Sequence, residues 1–154
     1  MKKAILILCV LGLFACQDDN ALKLVEVDLL KYGVPITVKA PESAKISQPS
    51  GEGEVWIVDT ASYFKIQVVK TSTSSLDVAA VKAEELELAK SLGGFSKLIS
   101  EEKDGFIYEE NYDTVSYDFK HIVISGNNKY VFQKLLTEIP TKEQVETMYK
   151  AVKN

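Results

Sequence analysis

Residues 106–136 read FIYEENYDTVSYDFKHIVISGNNKYVFQKLL, and this stretch decides the fold. Three extended runs lie in it, Phe106 to Tyr112, Val115 to Ser125 and Lys129 to Leu136, rich in aromatic and β-branched residues. Such side chains pack well on a pleated surface. Gly126-Asn127-Asn128 separates the last two runs, and these residues accept the positive φ of a tight hairpin turn. Strands at a spacing of about ten residues with turn signals between them predict an antiparallel meander.

The pattern extends on both sides. Phe95 to Ser100 reads as a further strand before the meander. Glu54 to Asp59 and Tyr63 to Val69 read as a hairpin closed by Thr60-Ala61-Ser62. In the second of these, Phe64, Ile66 and Val68 alternate with Lys65 and Gln67, which predicts one buried face and one wet face. The period then changes. The polar cluster Thr71 to Ser75 ends the sheet, and Ser74 with Asp77 three residues later fits a helix-capping pattern. Leu76 to Leu92 reads as a helix, with Val78, Val81, Leu88 and Leu92 on its buried stripe, stopped by Gly93-Gly94. After Pro140, Thr141 and Gln144 form a second capping box. Val145, Met148, Tyr149 and Val152 then recur at helical spacing.

Nearer the start, Leu24 to Lys31 and Val34 to Val38 read as two short strands around the Tyr32-Gly33 turn, with Pro35 making the second an edge or a strand start. Pro41 to Gly53 has loop composition, with Ala44 to Ser47 as a brief extended piece inside it. The whole predicts an α+β fold: an antiparallel β-sheet with helices packed on its faces. The order of elements resembles the PsbP/Mog1-like family of α/β/α sandwiches over about residues 30–153. The likeness rests on Tyr32-Gly33 leading to a short strand and Pro41, on the helix at 75–92, on the Gly126 to Tyr130 hairpin, and on the closing helix around Met148. The resemblance implies a protein that binds other proteins or serves as an accessory subunit. It assigns no role to any residue here, since fold does not fix function.

Residues 1–16 read MKKAILILCVLGLFAC. Lys2 and Lys3 precede an apolar run from Ala4 to Phe14. As a helix this run reaches about 17 Å, too short for a hydrocarbon core of about 30 Å, and has the length of a signal peptide. Leu13-Phe14-Ala15-Cys16 resembles the lipobox of bacterial lipoproteins, although Phe14 is bulkier than is usual at its place. The resemblance implies cleavage between Ala15 and Cys16 and a diacylglyceryl group on the Cys16 sulfur. Two or more acyl chains hold a protein stably at a bilayer where one does not. The expected organisation is a signal peptide over 1–15, a lipidated cysteine and tether over 16–23, and one α+β domain over 24–154. Gln17-Asp18-Asp19 looks like the acidic signals that send some lipoproteins to the cell surface, and equally like a solvated linker.

Composition narrows the function. The net charge is −4, and loss of Lys2 and Lys3 with the leader makes the mature chain more acidic still. An acidic body repels phosphate backbones, so nucleic acid is not expected as a partner. Every basic residue is lysine, so the bidentate guanidinium fork is missing from the chain. Both cysteines, Cys9 and Cys16, precede the domain, which excludes a disulfide scaffold and a cysteine-rich zinc site.

Three features of the domain invite chemistry. His121 stands alone, and one histidine without a helical partner is not a transition-metal site; no metal and no cofactor are expected. It reads as a packed strand residue. Acids cluster at Glu84-Glu85-Glu87, Glu101-Glu102-Asp104 and Glu109-Glu110, the first read as a solvated helix face. Tyr108, Tyr112, Tyr117, Phe119 and Tyr130 lie in the meander. Alternate positions among them, above all Tyr108, Tyr112, Tyr117 and Tyr130, would form a binding face, the plainer reading being cross-strand core packing. The resulting expectation is a membrane-anchored cell-envelope lipoprotein, at the outer membrane and open to surface exposure. It would be a non-enzymatic binding or accessory protein with an envelope protein as partner. The alternative is an envelope hydrolase using clustered carboxylates.

Overall fold

The computed structural model describes residues 22–51 and 53–153. The expected signal peptide, the expected cleavage bond Ala15–Cys16 and Gln17-Asp18-Asp19 lie outside the described residues. A two-stranded antiparallel hairpin pairs β1 (Leu24–Asp28) with β2 (Thr37–Pro41). A seven-stranded antiparallel sheet follows, built from β3 (Lys45–Ser47), β4 (Glu54–Val58), β5 (Lys65–Ser72), β6 (Phe95–Glu101), β7 (Gly105–Asn111), β8 (Val115–Ser125) and β9 (Asn128–Lys134). Its spatial order is β3-β4-β5-β9-β8-β7-β6. The meander β6 to β9 therefore docks its last strand against β5. Helix α1 (Val78–Ser91) links the two halves, and α2 (Lys142–Val152) closes the chain.

Alternation along the strands gives each helix its own face. Val55, Ile57, Ile66, Val68, Ile107, Phe119, Tyr130 and Phe132 meet Val145, Met148, Tyr149 and Val152 of α2, and the β1–β2 hairpin adds Val38 and Ala40 to this main core. On the opposite face Val81 of α1 packs with Ile122 and Val131, while Leu86 and Ala89 pack with Phe106 and Tyr108. A fully buried aliphatic or aromatic side chain contributes about 1.5–3 kcal/mol. The face carrying Phe64, Phe119, Phe132 and Met148 thus holds the larger share of the folding energy. The α+β class with helices on the sheet's faces is the architecture observed.

Several local expectations need correction. The first strand stops at Asp28, because its carboxylate accepts the Leu30 N–H at 2.8 Å and starts a 3-10 turn over Leu30–Tyr32. That turn ends at Gly33, whose φ of 75° suits only glycine well. Val34, Pro35 and Ile36 then form a tight loop, with Ile36 N–H donating to Val34 O at 2.8 Å, so the second strand begins at Thr37. The N-cap of α1 is Asp77, which accepts from Ala79 and Ala80, and not Ser74. Thr73 and Ser75 are occupied in turns of their own, accepting from the Ser75 and Asp77 N–H groups. Leu88 and Leu92 do not belong to the buried stripe of α1; they are 52% and 61% exposed. Glu85 lies on the inner side instead, 7% exposed, because Lys129 of β9 reaches it from the sheet face beneath α1. That cluster is therefore not wholly a solvated face. The Thr141–Gln144 capping box on α2 is present as read.

Candidate functional site

β8 runs longer than its neighbour β7. Pairing between them ends at Gly105↔His121, with one further bond from Ile122 N–H to Asp104 O at 2.7 Å. The chain then turns away through Lys103 and Glu102 into β6. On its other side β8 stays paired with β9 to Ser125↔Asn128, closed by the Gly126-Asn127 turn. The end of β8 thus overhangs into a cleft of about 570 Å³. Val78 of α1 and Ile124 line it on one side of the sheet. Val123, Val152 of α2 and the Pro35–Thr37 segment line it on the other, and Lys103, Asp104, His121, Ile122 and Lys153 complete the lining. Cavities of this size with apolar walls and a few polar groups are the usual form of a binding site.

His121 is buried, and its ring meets Phe132 and, edge-on, Tyr149. Its Nδ1 and the Tyr149 hydroxyl are the buried side-chain atoms that find no hydrogen-bond partner among the described residues. Such groups are rare and costly. Asp104 Oδ1 lies 3.9 Å from Nδ1, too far for a hydrogen bond. Burial holds the imidazole below its ordinary value, Asp104 pulls it back up, and Lys153 pushes it down again. Burial and the nearby Glu102 and Asp104 raise the Tyr149 phenol, so it stays protonated. Lys153 lies over the Tyr149 ring, 5.0 Å from its centre, and is ion-paired with Glu102. The backbone of Gly105 passes so close that a Cβ there would stand 2.7 Å from the Tyr149 hydroxyl.

A second polar feature crosses the sheet on the α1 side. Trp56 Nε1–H and the Gln67 amide both donate to Glu54, Gln133 donates to Gln67, and Lys120 donates to Gln133. The bond from Trp56 leads the causes that lower the Glu54 carboxyl. Gln67 is accordingly buried in this ladder, and the wet face expected for β5 is not wet there. Next to Lys120, Asp118 Oδ1 accepts the N–H groups of Phe119 and Lys134, and its Oδ2 accepts from Tyr108. Glu110 pairs with Lys134 at 3.1 Å. These groups satisfy one another, as buried polar groups must.

The four tyrosines do not share one face. Tyr108 is buried on the α1 side, stacked on Phe95 and bonded to Asp118. Tyr130 is buried on the α2 side. Tyr117 packs at the margin of that same core and donates to Glu109 at 3.2 Å. Tyr112 is exposed and lies against Gly94. The cleft escaped the sequence because it arises from unequal strand lengths. Reading the β6–β7 turn at Lys103-Asp104 against the β8–β9 turn at Gly126 would have located the overhang.

No family model matches the chain, and no curated protein matches it. Among solved structures it is similar to the cyanobacterial PsbP (CyanoP) of Synechocystis sp. PCC 6803, determined in solution. The TM-score is 0.51 and the identity 14%, over 89% of this chain and 91% of that one. At that identity the likeness concerns architecture: an antiparallel sheet between two helices, in the PsbP-like arrangement.

Proposed function

We propose that this chain is an accessory protein of the cell envelope, held at the membrane by lipid on Cys16, that binds an envelope protein and carries out no reaction itself. The observation that supports binding over hydrolysis is the makeup of the cleft. Its lining holds one carboxylate, Asp104, whereas glycoside-cleaving pairs need two acids facing one space. The other sequence-flagged acids of the sheet and turn are engaged with lysines: Glu101 with Lys82, Glu102 with Lys153, Glu109 with Lys97 and Glu110 with Lys134.

The membrane half of the reading comes from Lys2, Lys3, the apolar run and Leu13-Phe14-Ala15-Cys16. No helix among the described residues is long and apolar enough to cross a membrane; two or more acyl chains on Cys16 would hold the protein at the bilayer. Intact-mass and N-terminal analysis of the protein from membranes tests it. A mature chain starting at Cys16 with added lipid mass is expected, and Cys16→Ser is expected to release the protein from the membrane fraction. A mature start elsewhere, or no lipid mass, overturns it. Protease shaving of whole cells, with and without Asp18→Ala and Asp19→Ala, tests whether Gln17-Asp18-Asp19 directs the protein to the surface.

A further inference from the structure

In an antiparallel pair, successive residues turn their N–H and C=O groups alternately to one neighbour and to the other. In β8 the Ser125↔Asn128 pair closes a two-residue turn, so Ser125, Val123 and His121 bond to β9. Ile122 faces the other way, as its bond to Asp104 O shows. Ile124, two residues on, faces that same side, and there no strand of the described chain pairs with it. Its N–H and C=O therefore open into the cleft between the walls of α1 and α2.

We infer that the overhanging edge of β8 at Ile122–Ser125 accepts an extended peptide segment of a partner protein as an added strand, antiparallel to β8 and continuing the line of β7. The inference rests on the binding-protein reading above and names what that site takes. Three features define the occupant. It must be extended, because a strand supplies a main-chain acceptor and donor to Ile124 and continues the ladder from Ile122. It must be apolar on both sides, because its side chains alternate between Val78 and Ile124 on one face and Val123 and Val152 on the other. Its C-terminal end must be acidic. A strand antiparallel to β8 brings that end to the β6–β7 turn, where the cleft is lined by Lys103 and Lys153 against the one acid Asp104. Natural sheets guard such edges with bulges and lysines, as β6 does with its two register shifts and Lys97. β8 carries neither device between Ile122 and Ser125.

The test uses the full lipidated chain in detergent micelles and a fluorescein-labelled pentapeptide of threonine, three valines and a C-terminal aspartate. Saturable binding by fluorescence anisotropy is expected. Protection of the Ile124 amide from hydrogen exchange is expected on peptide addition, with the Val123 amide protected before and after. Methylating the central valine nitrogen of the peptide should weaken binding by about tenfold, the effect of one lost main-chain bond. Ile124→Pro should do the same, since proline is tolerated where an edge N–H points away from the sheet. Lys103→Glu should weaken the aspartate peptide and not its asparagine counterpart. Equal binding of methylated and plain peptides overturns the inference, as does an Ile124 amide that stays unprotected. An Ile124 amide protected in the free protein by self-association, lost in Ile124→Pro, also overturns it, by making a second copy the occupant. The lipid on Cys16 is read independently by mass, so failure of the anchor and failure of the edge are separable.

Discussion

His121 Nδ1 stands 3.9 Å from Asp104 Oδ1, with the phenol of Tyr149 at the edge of the same ring and Lys153 over the phenol's face. The imidazole is thus buried among groups of both signs, Asp104 and Glu102 against Lys153, without a hydrogen bond to its Nδ1.

That environment predicts acid sensitivity. Burial lowers the His121 value, so the folded chain takes up this proton less readily than the unfolded chain, whose histidine titrates near 6.5. Stability from this group is complete above 6.5 and falls as the pH drops through 6.5 towards the folded value. One proton limits the slope to about 1.4 kcal/mol per pH unit. Urea unfolding between pH 8 and pH 5 should show this decline, and His121→Gln should flatten it. An unchanged slope in His121→Gln would assign the decline to other groups.

Asp118 is buried, and its carboxylate adds side-chain bonds to three strands: it accepts from Phe119 and Lys134 N–H and from the Tyr108 hydroxyl. Burial raises its carboxyl, and Lys120 and Lys134 draw it back down. Asp118→Ala should cost about 3–5 kcal/mol, because three donors lose their acceptor and two buried lysines lose a nearby negative charge. Asp118→Asn keeps an acceptor and should cost less. Denaturant midpoints of the two variants measure the difference.

Two glycines separate a tight contact from a yielding one. A Cβ at Gly105 would stand 2.3 Å from the Lys120 carbonyl oxygen, which is backbone in the centre of the sheet. At Gly94 the obstacle is the ring of Tyr112, 63% exposed and tied by a long 3.5 Å bond from its hydroxyl to Leu92 O, so it can swing outward at small cost. Gly105→Ala should cost about 1–3 kcal/mol and shift the Tyr149 signals, while Gly94→Ala should cost less. Thermal unfolding and aromatic NMR spectra of the two variants test this ordering.

Much of the fold could be read from local chemistry. β8 has the bounds that Val115 to Ser125 announced, and α2 has both its capping box and its stripe, since each is set by neighbours in sequence. The misreadings share a cause in long-range partners. Glu85 turns inward because Lys129, forty-four residues away, meets it. Gln67 is buried because Gln133 and Glu54 complete its bonds. The cleft depends on β8 outlasting β7, a relation between two turns that no single stretch displays. The tyrosines were legible as strand residues but not as members of opposite faces, because that depends on register.

The start of α1 offers a direct contest between sequence pattern and structure. Ser74 and Asp77 have the spacing of a capping box, yet the side chain that accepts from the first helical N–H groups is that of Asp77, from Ala79 at 2.9 Å and Ala80 at 3.3 Å. Removing a true N-cap oxygen costs about 0.5–2 kcal/mol. Asp77→Ala should therefore lower stability by that amount, as should Thr141→Ala at the start of α2, where the Gln144 N–H loses its Thr141 Oγ1 acceptor. Ser74→Ala should fall within about 0.5 kcal/mol of the parent, as surface changes away from such features do. Urea midpoints of the three variants decide the matter, and a loss in Ser74→Ala equal to that in Asp77→Ala would restore Ser74 as the cap.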